Sequence, residues 1–281
     1  MSYKTILVHA DESRHAQQRF ELAAQLAARE NAHLVGMAAT ALPGTFYLPE
    51  LIGESTMTLT AYIEYLRQRA QGVLAQFEAT ARQAGMGRFE SRIVEDEAGA
   101  ALCIQARYSD LVVISQQDPD ESLPALRRNF ADYVVLHAAR PVLVLPYALR
   151  PILPAHRILL AWDASAEAAR AATAALPFLQ RAELVQIIVF DPDTRGLAHG
   201  EQPGSDIAQY LVRHGVHVEV SQQVTDHRID VGNALLSAAA DFNADLMVMG
   251  CYGHSRLREV LLGGVSHTVL GAMTVPVLMC H

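Results

Sequence analysis

Four glycines between an apolar run and a helical pattern are the residues of this chain whose type and spacing best suit chemistry. They are Gly250, Gly253, Gly263 and Gly264. Glycine lets a backbone come close to a bulky anion and adopt positive φ angles. Val265 and Ser266 follow, and Ser266 is a suitable N-cap for the next helix, whose N–H groups and dipole favour an anion. The spacing predicts a phosphate-binding loop, although turn-forming glycines would give the same pattern.

The pattern G-x2-G-x9-G resembles the phosphate-loop motif of the universal stress protein family. Gly250, Gly253 and Gly263 fit that motif in type and spacing. At the next position the family carries Ser or Thr whereas this chain has Gly264, and Ser266 stands where many members have a hydroxyl. The resemblance implies that backbone donors of the loop hold the phosphates of ATP, with Mg²⁺ bridging the phosphates. The nucleotide would then act as a regulatory ligand.

Further candidate residues lie around the expected base and phosphates. In an open α/β sheet, ligands bind beyond the carboxyl ends of the strands, where the strand order reverses. Asp163 ends such a strand and could accept hydrogen bonds from an adenine amino group, as the matching Asp does in the family, or form a helix cap or Asx turn. The places that line the adenine pocket in the family are here Ala161, Trp162, Val189 and Met249. The indole of Trp162 could stack on the base or block it, and His254 could donate to a phosphate or be a surface histidine.

Strands that alternate with helices must position these residues. In the first half, the apolar runs predicted as strands are Thr5–Asp11, His33–Ala39, Phe89–Val94, Asp110–Ser115 and Pro141–Pro146. Helical patterns lie between them, so we expect right-handed crossovers and a parallel sheet covered on both faces. The same order then starts again with Arg157–Asp163, Glu183–Phe190, Val216–Val224 and Asp245–Gly250.

The repeat keeps a constant offset over the last part of each half. Gly250 lies 135 residues after Ser115, and Pro276 lies 135 residues after Pro141, whereas the first strands differ by 152. The first half therefore holds 17 additional residues around residues 40–70. We predict two tandem α/β domains with five-stranded parallel sheets, over residues 1–147 and 156–281. The role of the additional segment, as lid, ligand pocket or interaction surface, stays open.

The resemblance to the universal stress protein family covers both halves. It implies a Rossmann-like, adenine-nucleotide α-hydrolase-like fold in each half. Family members commonly dimerise through the final strand, so a tandem chain looks like a covalent, pseudo-two-fold version of that dimer. A homodimer of such tandem chains is a further expectation.

Composition narrows the classes of partner. The chain has 281 residues and a net charge of −8, so it lacks the basic surplus that nucleic-acid binding requires. Its three cysteines show neither a CxxC motif nor metal-ligand spacing, which suits a reducing compartment. No signal peptide or long apolar run is evident. We expect a cytoplasmic protein without a membrane partner and without a protein-bound metal site.

The two halves are predicted to differ in chemistry. At the offset of 135, the glycines and Ser266 are replaced in the first half by Ser115, Asp118, Arg128, Asn129 and Ala131. Asp118, with Asp120 and Glu121, would repel a phosphate, since two unit charges about 4 Å apart interact with roughly 4 kcal/mol at an effective dielectric constant of 20. We therefore expect a degenerate site in the first half and a nucleotide in the second.

The motif does not favour rapid catalysis. It contains no GK[ST] sequence, and no second carboxylate can be placed beside the phosphates from the sequence. A regulatory binding module is the first hypothesis and a slow ATPase or phosphotransferase the second. The third is a nucleotide-free stress scaffold or chaperone, in which Gly264 and Trp162 have abolished binding.

Overall fold

The computed structural model describes residues 2–40, 56–121, 129–147, 155–192, 202–225, 230–252 and 264–281. In the first half the strands are β1 Thr5–His9, β2 His33–Ala39, β3 Phe89–Val94, β4 Leu111–Ser115 and β5 Val142–Leu145. The helices there are α1 Ala16–Glu30, α2 Thr56–Gln83, α3 Ala98–Ala106 and α4 Phe130–His137. All five runs predicted as strands are confirmed.

The second half repeats this order. Its strands are β6 Arg157–Ala161, β7 Leu184–Phe190, β8 Val218–Gln223, β9 Leu246–Gly250 and β10 Val277–Cys280. Its helices are α5 Ala166–Ala174, α6 Leu176–Leu179, α7 Ser205–Arg213, α8 Val231–Asp241 and α9 Val265–Ala272. The α/β class and the alternation predicted from the sequence are confirmed. Within the described ranges, no helix combines the length and apolar composition needed to cross a bilayer.

The chain forms two compact units, each with a mostly parallel sheet. One unit comprises Tyr3–Val134 with Ala138–Arg140, and its strands lie in the order β3-β2-β1-β4, all parallel. The other contains Pro141–His281 with Val135–His137, and its strands lie in the order β5-β10-β9-β6-β7-β8. Within it, all pairs are parallel except β5 with β10.

The last strands of the two halves, β5 and β10, lie next to each other in the strand order. β5 pairs antiparallel with β10, and Leu143 lies opposite Leu278. These leucines are equivalent in the repeat, because they are separated by the same 135 residues. Both are fully buried. The two equivalent strands therefore pair about a local two-fold axis, and this places β5 in the same compact unit as the second-half sheet.

A pair of aspartates fixes the start of the central strand in each unit. The carboxylate of Asp245 accepts hydrogen bonds from the backbone N–H of His156 and Arg157, at 2.9 and 3.1 Å. The carboxylate of Asp110 accepts the equivalent bonds from Lys4 and Thr5, at 2.7 and 2.9 Å. The duplication is thus preserved in hydrogen bonding as well as in strand order.

The central strands define where a ligand could lie. β6 pairs with β9 on one side and with β7 on the other, and β1 pairs in the same way with β4 and β2. The strand order therefore reverses between β6 and β9, and between β1 and β4. β6 and β9 are buried along their length, from Ile158 to Leu160 and from Leu246 to Met249. Such strands form a rigid base whose carboxyl ends support the loops.

Candidate functional site

The loop after β6 is built on a turn made by Asp163. Its Oδ1 accepts hydrogen bonds from the N–H and the hydroxyl of Ser165, at 3.0 and 2.6 Å. The hydroxyl of Ser165 in turn accepts from the N–H of Ala168 at 3.1 Å, so Ser165 is the N-cap of α5. The Asx-turn alternative for Asp163 is confirmed, and the capping role belongs to Ser165. The turn fixes the orientation of the Asp163 carboxylate at the end of β6.

The residues predicted to line an adenine pocket fall into two groups. Ala161 and Trp162 are partly exposed at the end of β6, and the N–H of Trp162 donates to the carbonyl of Ile188 at 2.9 Å. Val189 is fully buried in β7, and Met249 in β9 is 4% exposed. The surface at the carboxyl end of β6 is therefore formed by Ala161, Trp162 and Asp163, while the other two lie in the core beneath it.

Glycine is required at position 250, at the end of β9, because α5 packs closely against it. A Cβ atom at this position would lie 2.4 Å from the N of Ala168 and 2.7 Å from the carbonyl carbon of Glu167. The absence of a side chain therefore lets the first turn of α5 pack directly on the strand end. Glu167, which sequence reasoning missed, is brought to the site by this contact, and its carboxylate accepts from Arg170 at 2.6 Å.

The start of α9 lies beside the end of β9. Gly264 is the N-cap, and among the described residues no side chain caps the helix. Ser266 was predicted as the N-cap, and this is wrong because the helix already begins at Val265. The buried hydroxyl of Ser266 instead accepts from the N–H of Tyr252 at 3.4 Å, which ties the helix to the loop after β9.

Part of the predicted phosphate loop falls outside the described residues. Gly253, His254 and Gly263 lie in that part, whereas Gly250, Gly264, Val265 and Ser266 are described. The two described ends of the loop are joined by the hydrogen bond between Tyr252 and Ser266. The structure thus brings together the end of β9, the start of α5 and the start of α9 at one edge of the sheet.

The chain's last residues also lie at this edge. His281 Nδ1 is 3.1 Å from the carbonyl oxygen of Cys251, and the His281 carbonyl accepts from Arg170 Nε at 3.1 Å. The N–H of Cys251 donates to the carbonyl of Cys280. Both cysteines are buried, and burial raises the pKa of Cys280 to about 12. The Cys251 side chain is 2% exposed and packs at the end of β9.

The equivalent edge of the first half is occupied by Arg19. This α1 side chain is 1% exposed. Its guanidinium donates to the His9 carbonyl at 2.8 Å, to the Ser115 hydroxyl at 2.8 Å and to Asp11 Oδ1 at 2.6 Å. The His9 ring also lies 4.8 Å from the ring of Phe130, measured between centroids. The ends of β1 and β4 and the start of α4 are thus joined through packed side chains.

Two more contacts join the loops of the first half. His15 Nε2 lies 2.9 Å from Asp118 Oδ2, and Asp118 Oδ1 accepts from the N–H of Asp120 at 2.9 Å. These hydrogen bonds hold the pKa of Asp118 below its ordinary value. Glu121 accepts from the N–H of Arg14 at 3.1 Å. Asp118 and Glu121, which were predicted to repel a phosphate, both contact the β1–α1 segment.

Asp11 is the partly buried anion at the centre of this network. Burial by itself would raise the pKa of Asp11, but the charges of Arg19 and His9 outweigh that effect. Hydrogen bonds from Ser13 and Arg19 act in the same direction, so the pKa of Asp11 lies well below its ordinary value. Asp11 is therefore ionised and paired within the protein.

Aligning the halves shows that the second half carries smaller side chains at these positions. The pairs are His9 with Ala161, Arg19 with Ala171, Ser115 with Gly250, Asp118 with Gly253 and Phe130 with Val265. Sequence reasoning missed Arg19 and Ala171. The signal was available, because the offset of 152 that aligns Asp11 with Asp163 also aligns these two residues.

The described surface of the second half includes two shallow cavities away from these residues. One of about 230 Å³ lies between β8 and α8, and its lining includes Arg157, Gln186 and Phe242. The other, of about 370 Å³, lies at the start of α7 beside Val220 and Gln222. Neither is lined by the predicted site residues. Among the described residues, no cluster of three or more His, Cys, Asp or Glu side chains could hold a metal ion.

Comparisons with known proteins agree with the duplicated fold. The sequence profile of the Universal stress protein family matches residues 2–146 and again 154–281. Universal stress protein Slr1230 of Synechocystis sp. is 25% identical over 297 residues, covering 98% of this chain and 99% of that protein. A crystal structure of a universal stress protein from Archaeoglobus fulgidus has a TM-score of 0.72 at 16% identity, covering 98% of this chain and 95% of that one. The crystal structure of a universal stress protein in complex with cAMP covers 53% of this chain and 100% of that one, at 21% identity and a TM-score of 0.38.

Proposed function

The chain belongs to the universal stress protein family, and from its two unequal halves we propose that the second half binds an adenine nucleotide as a regulatory ligand. The ligand would be ATP, with Mg²⁺ bridging its phosphates. It would lie beyond the carboxyl ends of β6 and β9, where the strand order reverses. In the first half, the equivalent place is filled by the protein's own side chains.

One observation carries this proposal. Three side chains that join the strand and helix ends of the first half are His9, Arg19 and Phe130. Their equivalents in the second half are Ala161, Ala171 and Val265, which are all smaller and uncharged. The folds are otherwise the same in strand order around β1 and β6. The difference is therefore concentrated where a ligand of an open α/β sheet would bind.

The phosphates would lie near the start of α9. Its first N–H groups and the helix dipole favour an anion, and Gly253 and Gly263 would add further backbone donors. Gly264 lacks the hydroxyl that the family motif has at that position, so the contact from the loop would come from the backbone. His254 is a candidate donor to the terminal phosphate.

The base would lie against Ala161, Trp162 and Asp163. The Asx turn with Ser165 holds the carboxylate of Asp163 at the end of β6, where it could accept from the adenine amino group. The partly exposed indole of Trp162 offers a surface on which a base can stack. Val189 and Met249 would support this surface from within the core.

Calorimetry with MgATP tests the proposal. The wild-type chain is expected to bind one equivalent, and Gly253→Asp, which introduces the residue found at the first-half position 118, is expected to abolish binding. Gly87→Asp is the matched control, since it adds the same charge where no described atom lies within 4 Å of the new Cβ. Absence of heat with the wild-type chain, or binding that survives Gly253→Asp, would contradict the proposal.

A regulatory ligand differs from a substrate in its turnover. Single-turnover measurement with labelled ATP is expected to show hydrolysis far slower than about 1 per second, the low end for typical enzymes. Faster hydrolysis that is lost in Gly253→Asp would favour the ATPase hypothesis instead. Protein purified without added nucleotide would distinguish a scaffold, which should carry no adenine absorbance.

A further inference from the structure

Arg19 has the position and bonding of an internal ligand. Its three acceptors are the His9 carbonyl at the end of β1, Asp11 in the following loop and Ser115 at the end of β4. The guanidinium therefore bridges the two strand ends that flank the place where the strand order reverses. The planar guanidinium of an arginine has several directed donors, so it can bond to several acceptors at once in a buried position.

The second half preserves the acceptors around this position. Ser165 donates to Asp163 Oδ1 through both its N–H and its hydroxyl, and Ser13 makes the same two bonds to Asp11 Oδ1. Asp163 and the carbonyl of Ala161 thus stand where Asp11 and the His9 carbonyl stand in the first half. The third acceptor, Ser115, is replaced by Gly250.

The helices that follow, α1 and α5, bury equivalent residues. In α1, Ala16, Arg19 and Phe20 are buried, and their equivalents Ala168, Ala171 and Ala172 are buried in α5. Asp11 precedes Arg19 by the same eight residues that separate Asp163 from Ala171. An arginine at position 171 would therefore start from the same helix face as Arg19 and find two of its three acceptors.

We propose that Arg19 closes the first-half crevice by occupying it, and that Ala171 is the residue that keeps the second-half crevice accessible to a nucleotide. The presence of arginine or alanine at this helix position, rather than the loop glycines alone, decides which half can bind. The proposal rests on the proposed function for the identity of the ligand, but the closing contact itself requires no nucleotide.

Ala171→Arg transfers the closing contact to the second half. We expect it to weaken MgATP binding by about 100-fold or more, because the guanidinium would pair with Asp163 and fill the place of the base. Ala169→Arg is the matched control: it adds the same side chain on the exposed face of the same helix and should change the affinity less than about threefold. Equal affinities of the two variants for MgATP would overturn the proposal.

A double-mutant cycle tests the contact without nucleotide. Ala171→Arg and Asp163→Asn, made singly and together, should be coupled by about tenfold or more in the equilibrium constant for unfolding, measured in urea. Absence of coupling overturns the proposal, whereas coupling in a protein that does not bind MgATP would mean that only the nucleotide function fails.

Ala171→Gln, whose side chain is shorter and uncharged, replaces Ala171→Arg in the binding test if Ala171→Arg does not fold. It should then weaken MgATP binding about tenfold. If neither folds while Ala169→Arg does, position 171 has no accessible space and the proposal is wrong.

Discussion

The first and second halves share a strand order but differ at the carboxyl ends of their central strands, β1 and β4 in the first half and β6 and β9 in the second. In the first half that edge is held by a buried Arg19–Asp11 pair, a His9–Phe130 contact and a His15–Asp118 hydrogen bond. In the second half these positions carry smaller side chains, and the first turn of α5 packs directly on Gly250. One duplicated framework thus supports two different strand-end arrangements.

The comparison separates what stabilises the framework from what would recognise a ligand. The Asp110 and Asp245 contacts at the amino ends of the central strands are the same in both halves, so they belong to the fold. The carboxyl ends diverge, and they are the edge where ligands of such sheets bind. A polar network that is fully paired can fix a closed edge, but it becomes costly when one member is removed.

The largest expected effect comes from removing the cation of the first-half network. Arg19→Met should lower the free energy of unfolding by about 3–5 kcal/mol, because Asp11, whose side chain is only 18% exposed, would lose its ion-pair partner. Urea denaturation measures this loss. Arg69→Met is the control, since its ion pair with Glu12 is exposed and should contribute about 0–1 kcal/mol. Similar losses in both variants would show that the buried pair does not hold the edge together.

The second largest expected effect comes from adding a side chain at Gly250, where α5 packs on β9. Gly250→Ala should lower the free energy of unfolding by about 1–3 kcal/mol, because its Cβ would overlap the backbone of Ala168. It should also weaken nucleotide binding by shifting α5. Gly271→Ala in α9 meets no described atom within 4 Å and should be neutral or slightly stabilising. Thermal melting of the two variants checks this, and a tolerated Gly250→Ala would contradict the close helix contact.

The pH dependence of stability should carry the signature of Asp11. Its pKa is lowered in the folded protein, so the ionised carboxylate contributes stability above its unfolded pKa of about 3.9, and this contribution is lost as pH falls further towards the folded pKa. In Arg19→Met, burial without a neighbouring cation would raise the pKa of Asp11. Protonation of Asp11 at lower pH would therefore remove part of the variant's loss of stability. The stability difference between wild type and Arg19→Met should therefore shrink from pH 7 to pH 4 in urea titrations. A constant difference would mean that Asp11 is not the partner that matters.

The smallest expected effect concerns Ser266. Ser266→Ala should lower the free energy of unfolding by about 0.5–1 kcal/mol, because its hydroxyl accepts a single, long hydrogen bond from Tyr252. Thr173→Ala removes an exposed hydroxyl that bonds its own helix and should stay within about 0.5 kcal/mol of wild type. If Ser266→Ala left stability unchanged and abolished MgATP binding, the hydroxyl would be a ligand contact and not a loop tie.

Much of the fold could be predicted because its signals are local. The apolar runs that became β1 and β6 are continuous in sequence, and the equal spacing of Ser115 and Gly250 from their final strands reveals the duplication. The site was predicted in part. Asp163 lies at the end of β6 as expected, but Ser266 does not cap α9, because the helix begins one residue before it.

The sequence by itself determined the alternation of strands and helices, the repeat and the glycine pattern that separates the halves. Tertiary structure alone showed that Arg19 joins β1 to β4, that α5 packs directly on Gly250, and which residues of β5 and β10 lie opposite each other. The reason is physical: the bond from Arg19 to Ser115 joins residues 96 apart in the chain, and no local pattern specifies which distant acceptors a buried side chain will meet. Packing decides such contacts once the strands have brought their carboxyl ends to one edge.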